Sequence, residues 1–214
     1  RVFTFGIGGV LSALDLATGK VLWRTKPPGG LPQYGTASSP LVDGGVVIAP
    51  MGGFNLGAMT AFDAATGTVR WRWDGDGPGY GSPIITTLSG VRQLIGQTQK
   101  LLVGLNPGNG ALLWRVPFTT SYNQNAITPV VAGDLVINSG LEKPVTAFRI
   151  RRSGSEWTAE PAWSVDKSSL YMSSGVAIGP TLYGLSHRNQ GQVFALDPAS
   201  GKLLWTTQGR EGEN

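Results

Sequence analysis

Apolar and polar residues alternate in short runs along this chain, and Gly, Asp, Asn or Pro breaks each run before it can become helical. Val10, Ser12 and Leu14 interleave with Leu11, Ala13 and Asp15, the period-2 signature of a half-buried strand. After a turn the chain resumes at Lys20–Arg24, and Val2–Phe5 supplies a strand before it. The same cassette recurs as Ala13–Trp23, Ala61–Trp71, Gly104–Trp114 and Ala195–Trp205, with an eroded copy running from Ala147, Phe148 and Arg149 through an insertion to Trp163. The residues that open the turns are Asp15, Asp63, Asn106, Arg149 and Asp197, spaced 43 to 48 residues apart. That period suits a four-stranded propeller blade and exceeds a leucine-rich repeat.

Each residue type in the cassette has a physical task. Asp15, Asp63 and Asp197 can open a turn by accepting backbone N–H groups on the carboxylate. Gly19, Gly67, Gly110 and Gly201 supply the positive φ of a glycine bulge. Trp23, Trp71, Trp114, Trp163 and Trp205 fall on the return strand, where each can bury roughly 150–250 Å² against a neighbouring blade. These residues read as structural.

A second phrase fills the other half of each unit: ASSPLVDGGVVIAP from Ala37, YGSPIITTLSGVRQLIGQ from Tyr80, NAITPVVAGDLVINSG from Asn125 and MSSGVAIGPTLYGLS from Met172. Each predicts two strands joined at Asp43-Gly44, Ser89-Gly90, Gly133-Asp134 and Gly179-Pro180. Pro40, Pro83 and Pro129 suit the start of a strand, where no ladder donor is needed. The expectation is an all-β arc of about five antiparallel blades, close to free of helix. The first is partial (1–26), and the others span about 37–74, 80–117, 125–166 and 173–207.

Composition agrees: 32 Gly and 14 Pro among 214 residues, with only 14% charged, fit many tight turns. Net charge is +4. Its one basic cluster, Arg149, Arg151 and Arg152, is followed by Glu156 and Glu160, so a nucleic-acid partner is not indicated. No run of about 18 apolar residues spans a membrane. With no Cys, disulfides, thiolate metal sites and thiol nucleophiles are excluded within this stretch. The chain opens at Arg1 on a strand, as an excerpt of a longer protein would.

If the first strand of each blade runs downward, the Asp/Gly turns gather on the bottom face and the irregular loops on the top. The top then carries Tyr34, Tyr80, Tyr122 and Tyr171 before the first strands, with Asn123 and Gln124. Gln99, Lys100, Asn138 and the run Ser186-His187-Arg188-Asn189-Gln190 occupy the loops between second and third strands. This ring of phenols, amides and a few cations suits a polar ligand or an extended peptide. The same side chains equally suit loop satisfaction and packing on the next blade. His187, the only histidine, reads as a partner contact with Arg188 and Asn189. A hydrolytic triad from Ser173, Ser174 or Ser186 lacks an orienting acid, with Glu142 the one acid expected on top. No catalytic residue and no metal site is assigned.

The pattern A-x-D-x-x-T-G-x-x-x-W at Ala13–Trp23, Ala61–Trp71 and Ala195–Trp205 resembles the tryptophan-docking repeat of quinoprotein alcohol-dehydrogenase-like (PQQ-like) β-propellers. The run is similar to bacterial repeat proteins related to the propeller lipoprotein of the outer-membrane β-barrel assembly machine. That resemblance implies seven or eight blades in all, a monomeric propeller and a periplasmic or otherwise exported location. It further implies a non-catalytic module with a protein or peptide partner and no resident cofactor. The alternative is a quinoprotein-type oxidoreductase holding pyrroloquinoline quinone (PQQ) and Ca²⁺ through ligands in other blades. The adjacent-cysteine disulfide of true quinone dehydrogenases has no counterpart here, and no convergent carboxylate set is visible.

Overall fold

The computed structural model describes residues 1–26, 29–188 and 191–212. Five antiparallel sheets follow one another along the chain, each built from consecutive strands. The first has three strands, β1 (Val2–Phe5), β2 (Leu11–Leu14) and β3 (Val21–Arg24). The second holds β4 (Leu41–Asp43), β5 (Val46–Gly53), β6 (Leu56–Asp63) and β7 (Val69–Trp73). The third holds β8 (Ile84–Leu88), β9 (Val91–Gln97), β10 (Leu101–Leu105) and β11 (Leu112–Pro117). The fourth holds β12 (Val130–Ala132), β13 (Leu135–Gly140), β14 (Lys143–Ser153) and β15 (Glu156–Val165). The fifth holds β16 (Val176–Ile178), β17 (Thr181–Ser186), β18 (Gln192–Leu196) and β19 (Leu203–Thr206). Among the described residues there is no α-helix, only a 3₁₀ turn at Ser121–Asn123. This is an arc of propeller blades.

The cores lie between sheets. Leu11 meets Val47, Ala49, Met51 and Phe62 between blades one and two. Ile48, Met59 and Ala61 meet Leu94, Val103 and Leu105 between two and three. Ile95, Leu102 and Trp114 meet Val136, Phe148 and Ile150 between three and four. Ile137 and Ala147 meet Leu182, Phe194 and Leu196 between four and five. Alternate residues of β5, Val47 and Ile48, thus serve opposite neighbours, which is why the middle strands are apolar on both faces.

The Asp/Gly/Trp cassette makes the joint. Asp15 Oδ1 accepts from the N–H groups of Ala17 (3.1 Å) and Thr18 (2.8 Å), and Asp63 and Asp197 repeat the pattern. Each of the five Trp residues pairs across its hairpin with a small residue, from Ala13↔Trp23 to Ala195↔Trp205, next to a bulge. The indole N–H of Trp23 reaches forward to the Ala64 carbonyl (3.2 Å), that of Trp71 to Pro107 (2.9 Å) and that of Trp163 to Pro198 (3.1 Å). In each case the acceptor directly follows the turn-opening Asp or Asn of the next blade. The ring covers that blade's turn glycine, Gly67, Gly110 or Gly201, leaving no room for a Cβ.

Two copies depart, for stated reasons. Arg149 does not open a turn: β14 and β15 continue as one long hairpin, so Arg149 sits in mid-strand opposite Glu160 and binds Asp134. Trp114 therefore has no turn to dock on. It is buried to 4% exposure over its own Gly104 and donates to Gln93 Oε1 at 2.7 Å. Trp205, with no following turn among the described residues, is 47% exposed beside Tyr183. The β4–β5 hairpin also turns on Gly44-Gly45, both at positive φ, rather than Asp43-Gly44, which leaves Asp43 in β4 to pair with Arg92 of the next blade.

A further tie runs around the inner rim. The backbone N–H of Ser39 donates to Ser82 Oγ (2.9 Å), that of Ser82 to Thr128 Oγ1 (3.1 Å) and that of Thr128 to Ser174 Oγ (2.9 Å). The first three of these residues immediately precede Pro40, Pro83 and Pro129. The hydroxyl satisfies an N–H that the first strand of a blade cannot pair on its inner side.

Gly110 combines a φ of 73° with a Trp71 ring atom 2.5 Å from where a Cβ would stand, whereas Gly133, at φ 61°, has open space there. Gly110→Ala is expected to destabilise by about 2–4 kcal/mol, and Gly133→Ala by roughly 1 kcal/mol from backbone strain alone. Urea denaturation of the two variants checks this, and equal losses would show that the docked ring contributes nothing.

Candidate functional site

The loops leaving each outer strand and those linking second to third strands lie on one face, the top. The tyrosines expected there do converge, with one exception. Tyr34 and Tyr80 stack as tilted rings 5.9 Å apart, and the Tyr34 N–H donates to the Tyr80 hydroxyl at 3.3 Å. Tyr171 donates its hydroxyl to Gln124 Oε1 and sets its ring edge-on to His187 at 5.7 Å. Tyr122 stands apart: it lies in the 3₁₀ turn at φ 59° and is 71% exposed. Asn123 shares that turn, also at positive φ.

Between them lies a cup of about 530 Å³ lined by Tyr34, Ala37, Tyr80, Gln124, Ala126 and Met172. Four of these occupy one repeat position. Ala37, Tyr80, Ala126 and Met172 each precede the rim hydroxyl residues Ser39, Ser82, Thr128 and Ser174 by two. Each complete blade therefore contributes one side chain to the cup, alternately small and large. Met172, 62% exposed, is a lining residue that reading for polar groups missed. The signal was its register three places before the glycine that replaces proline in the last blade.

Other expected residues are spent on structure. Gln99 is buried in a reciprocal amide pair: its Oε1 accepts from Asn55 N (2.9 Å) and its Nε2 donates to Asn55 Oδ1 (3.1 Å). Asn138 belongs to strand β13 rather than a loop and is wholly buried. Lys100 is exposed, its backbone N–H bound to Asp76 at 2.6 Å. Arg188 follows His187, its backbone N–H bound to Ser186 Oγ at 3.2 Å. Asn189 and Gln190 lie outside the described residues.

Glu142 is not the only acid on this face, because the loops after β7 and β15 add Asp74, Asp76 and Asp166. These do not converge. Glu142 accepts from Ser121, Asp76 from Thr98 and Lys100, and Asp74 pairs with Arg72. Among the described residues no three His, Cys, Asp or Glu side chains gather in one place. A hard cation such as Ca²⁺ needs several oxygen ligands, mostly carboxylate or carbonyl. The phenols, amide and thioether of the cup do not fit a quinone–calcium pair.

A larger cleft, about 670 Å³, opens on the bottom face between Arg1, Asp43, Asp63, Arg70 and Arg92. Four of these charges pair, Arg92 with Asp43 and Arg70 with Asp63, while Arg1 donates to the Ala64 carbonyl. Hydrogen bonding from Arg70, with help from the turn N–H groups, holds Asp63 at a pKa of about 2. Apolar groups stand in water on both faces: Ile7 (74%), Phe54 (53%) and Leu56 (58%) at the top loops, and Leu16 (74%) and Ile178 (63%) at the bottom turns.

A family model described as outer membrane protein assembly factor BamB matches residues 1–207. Similar curated proteins include assembly factor BamB of Yersinia pestis, 25% identical over 95% of this chain and 53% of its own length. Quinohemoprotein alcohol dehydrogenase ADH IIB of Pseudomonas putida is also 25% identical, over 100% of this chain and 25% of its own. BamB from Moraxella catarrhalis shares the fold at a TM-score of 0.66 and 18% identity, over 94% of this chain and 59% of that one. The chain thus spans about half the length of the assembly factors it matches.

Burial, then the Arg188 charge, lowers the pKa of His187 below its ordinary value, against smaller opposing effects of Ser169 and Glu142. Below pH 6.5 the unfolded chain takes up a proton before the folded one, so stability falls as pH drops from 6.5 toward the folded value. Thermal melts between pH 7.5 and 5 are expected to show this decline, and His187→Gln to flatten it. An unchanged slope in that variant would remove His187 as the cause.

Proposed function

The chain belongs to the family of outer membrane protein assembly factor BamB, and on that premise we propose that it is a non-catalytic propeller module of the cell envelope that engages a peptide or protein through its top face. The observation that supports this most is the uncharged cup that the repeat builds on the top face. On the bottom the turn carboxylates are committed, Asp63 and Asp43 to Arg70 and Arg92 and Asp15 and Asp197 to their own turns. The top has an uncharged cup lined by the exposed Met172, and its loops also expose Ile7, Phe54 and Leu56; exposed apolar groups on the face that carries a concave site suit a contact surface.

Phe54 is built to hold its position. It sits at the tip of the long β5–β6 hairpin, beside Asn55, which the buried Gln99 clamps from the next blade. A rigid aromatic on a loop tip loses little entropy on binding and makes an effective anchor. A periplasmic setting and a protein partner follow from the same family premise. Quinone chemistry finds no fitting ligand set in these blades, so no oxidation step is assigned to them.

Photo-crosslinking in the intact envelope tests the reading. The full-length protein carrying p-benzoylphenylalanine at position 54 or 34 is expected to give a discrete protein adduct, and at position 66, on a bottom turn, none. Adducts from position 66 alone would overturn the assignment of the face. Calorimetric titration of the full-length protein with pyrroloquinoline quinone and Ca²⁺ is expected to show no saturable heat. Binding near one equivalent would instead favour the oxidoreductase alternative.

A further inference from the structure

Resting on the reading that the top face takes a peptide or protein, we propose that the channel-mouth cup accepts an uncharged apolar or aromatic side chain of an extended peptide and rejects a charged one. The selectivity arises from how the repeat builds the cup. One position per blade supplies Ala37, Tyr80, Ala126 and Met172, so two large side chains alternate with two small ones around the rim. The small members leave gaps between the Tyr80 ring and the Met172 thioether, and a volume of about 530 Å³ holds one large side chain with its flanking backbone. Methionine is unbranched and polarizable, and adapts to aliphatic and aromatic surfaces alike.

The lining carries no charge. Burial raises the pKa of Tyr80, and likewise that of Tyr171 behind the wall, so both phenols stay protonated at neutral pH. His187, edge-on to Tyr171, is held neutral by its surroundings. A carboxylate or ammonium entering the cup would give up its hydration and meet no counter-charge, which costs far more than the contacts return. An apolar side chain loses nothing comparable. A polar contact remains for the ligand's main chain: Gln124 lines the cup with its Oε1 committed to Tyr171, which leaves its amide NH₂ as the group to donate to a peptide carbonyl.

The protein contains a built-in reporter. Of its three methionines, Met51 and Met59 are fully buried, whereas Met172 is 62% exposed in the cup. Full-length protein labelled with [methyl-¹³C]methionine is titrated with blocked tripeptides, acetyl-Gly-X-Gly-amide, where X is Phe, Leu, Glu or Lys. The Met172 methyl resonance is assigned by its loss in Met172→Leu. It is expected to shift saturably with the Phe and Leu peptides and to need at least tenfold more of the Glu and Lys peptides. Tyr80→Ala is expected to weaken the Phe peptide at least tenfold while the Met51 and Met59 resonances keep their positions, which shows that the blades remain folded. Equal affinity for charged and apolar peptides overturns the proposal, as does a Met172 methyl unmoved by any apolar peptide at its solubility limit. Top-face crosslinks that persist alongside either result leave the broader reading intact and remove only the cup's selectivity. Loss of those crosslinks removes the broader reading itself.

Discussion

No blade of this protein has a core of its own, and everything else follows from that. A four-stranded sheet one layer thick must bury both faces against other sheets, so the hydrophobic clusters all fall at the joints between consecutive blades. The joint is made specific by a tryptophan that reaches forward, covers the next blade's turn glycine and gives its N–H to the carbonyl beside it. Removing water from an indole over a glycine combines a large apolar burial with a satisfied donor, and the positive φ of the glycine sets the turn at the right height. Stability in such an array is a sum over neighbours, which makes the joint rather than the blade the unit of energy.

Much of this was legible in the residues. The Asp, Thr-Gly and Trp spacing announced the hairpins, the strand pairing and the period, because each of those features is local in sequence. What escaped is instructive in the same terms. Spacing alone places Arg149 at a turn, but without an Asp carboxylate or a nearby glycine nothing stops the strand. Ile150 and Trp157 of the extended hairpin then pack against the joint that a docked turn would otherwise complete. The repeat puts Asn138 in the loop between second and third strands. It lies instead on a buried strand two positions beyond Val136, where alternation puts it in the same joint.

The cup was half visible for a different reason. Looking for hydrogen-bonding groups found Tyr34, Tyr80 and Tyr171, which do converge, but also Gln99, which is consumed by Asn55. Chemistry of the side chain is a weaker guide here than register. The position three residues before each strand-leading proline, read down the repeats, picks out Ala37, Tyr80 and Ala126, and Met172 takes the corresponding place in the last blade. Two alanines and a methionine attract no attention as candidates one at a time. Carboxylates are spent internally on both faces, Asp63 on its turn and on Arg70 below, Asp76 on Thr98 and Lys100 above, and the irregular sequence accumulates on the top.

The rim ties from Ser39 to Ser82, Thr128 and Ser174 all point the same way, a backbone N–H donating forward to the hydroxyl of the next module. Contacts of this head-to-tail kind have no twofold partner and do not close pairwise. Severing the series between any two equivalent positions and rejoining it recreates the same contact. Whole-module duplication or loss in the gene therefore lengthens or shortens the array without inventing an interface, whereas a slip of one residue within a module misplaces a hydroxyl, a strand start and a cup residue together. Evolution is thereby confined to whole-module steps in size, while the residue each module offers to the centre remains free to vary.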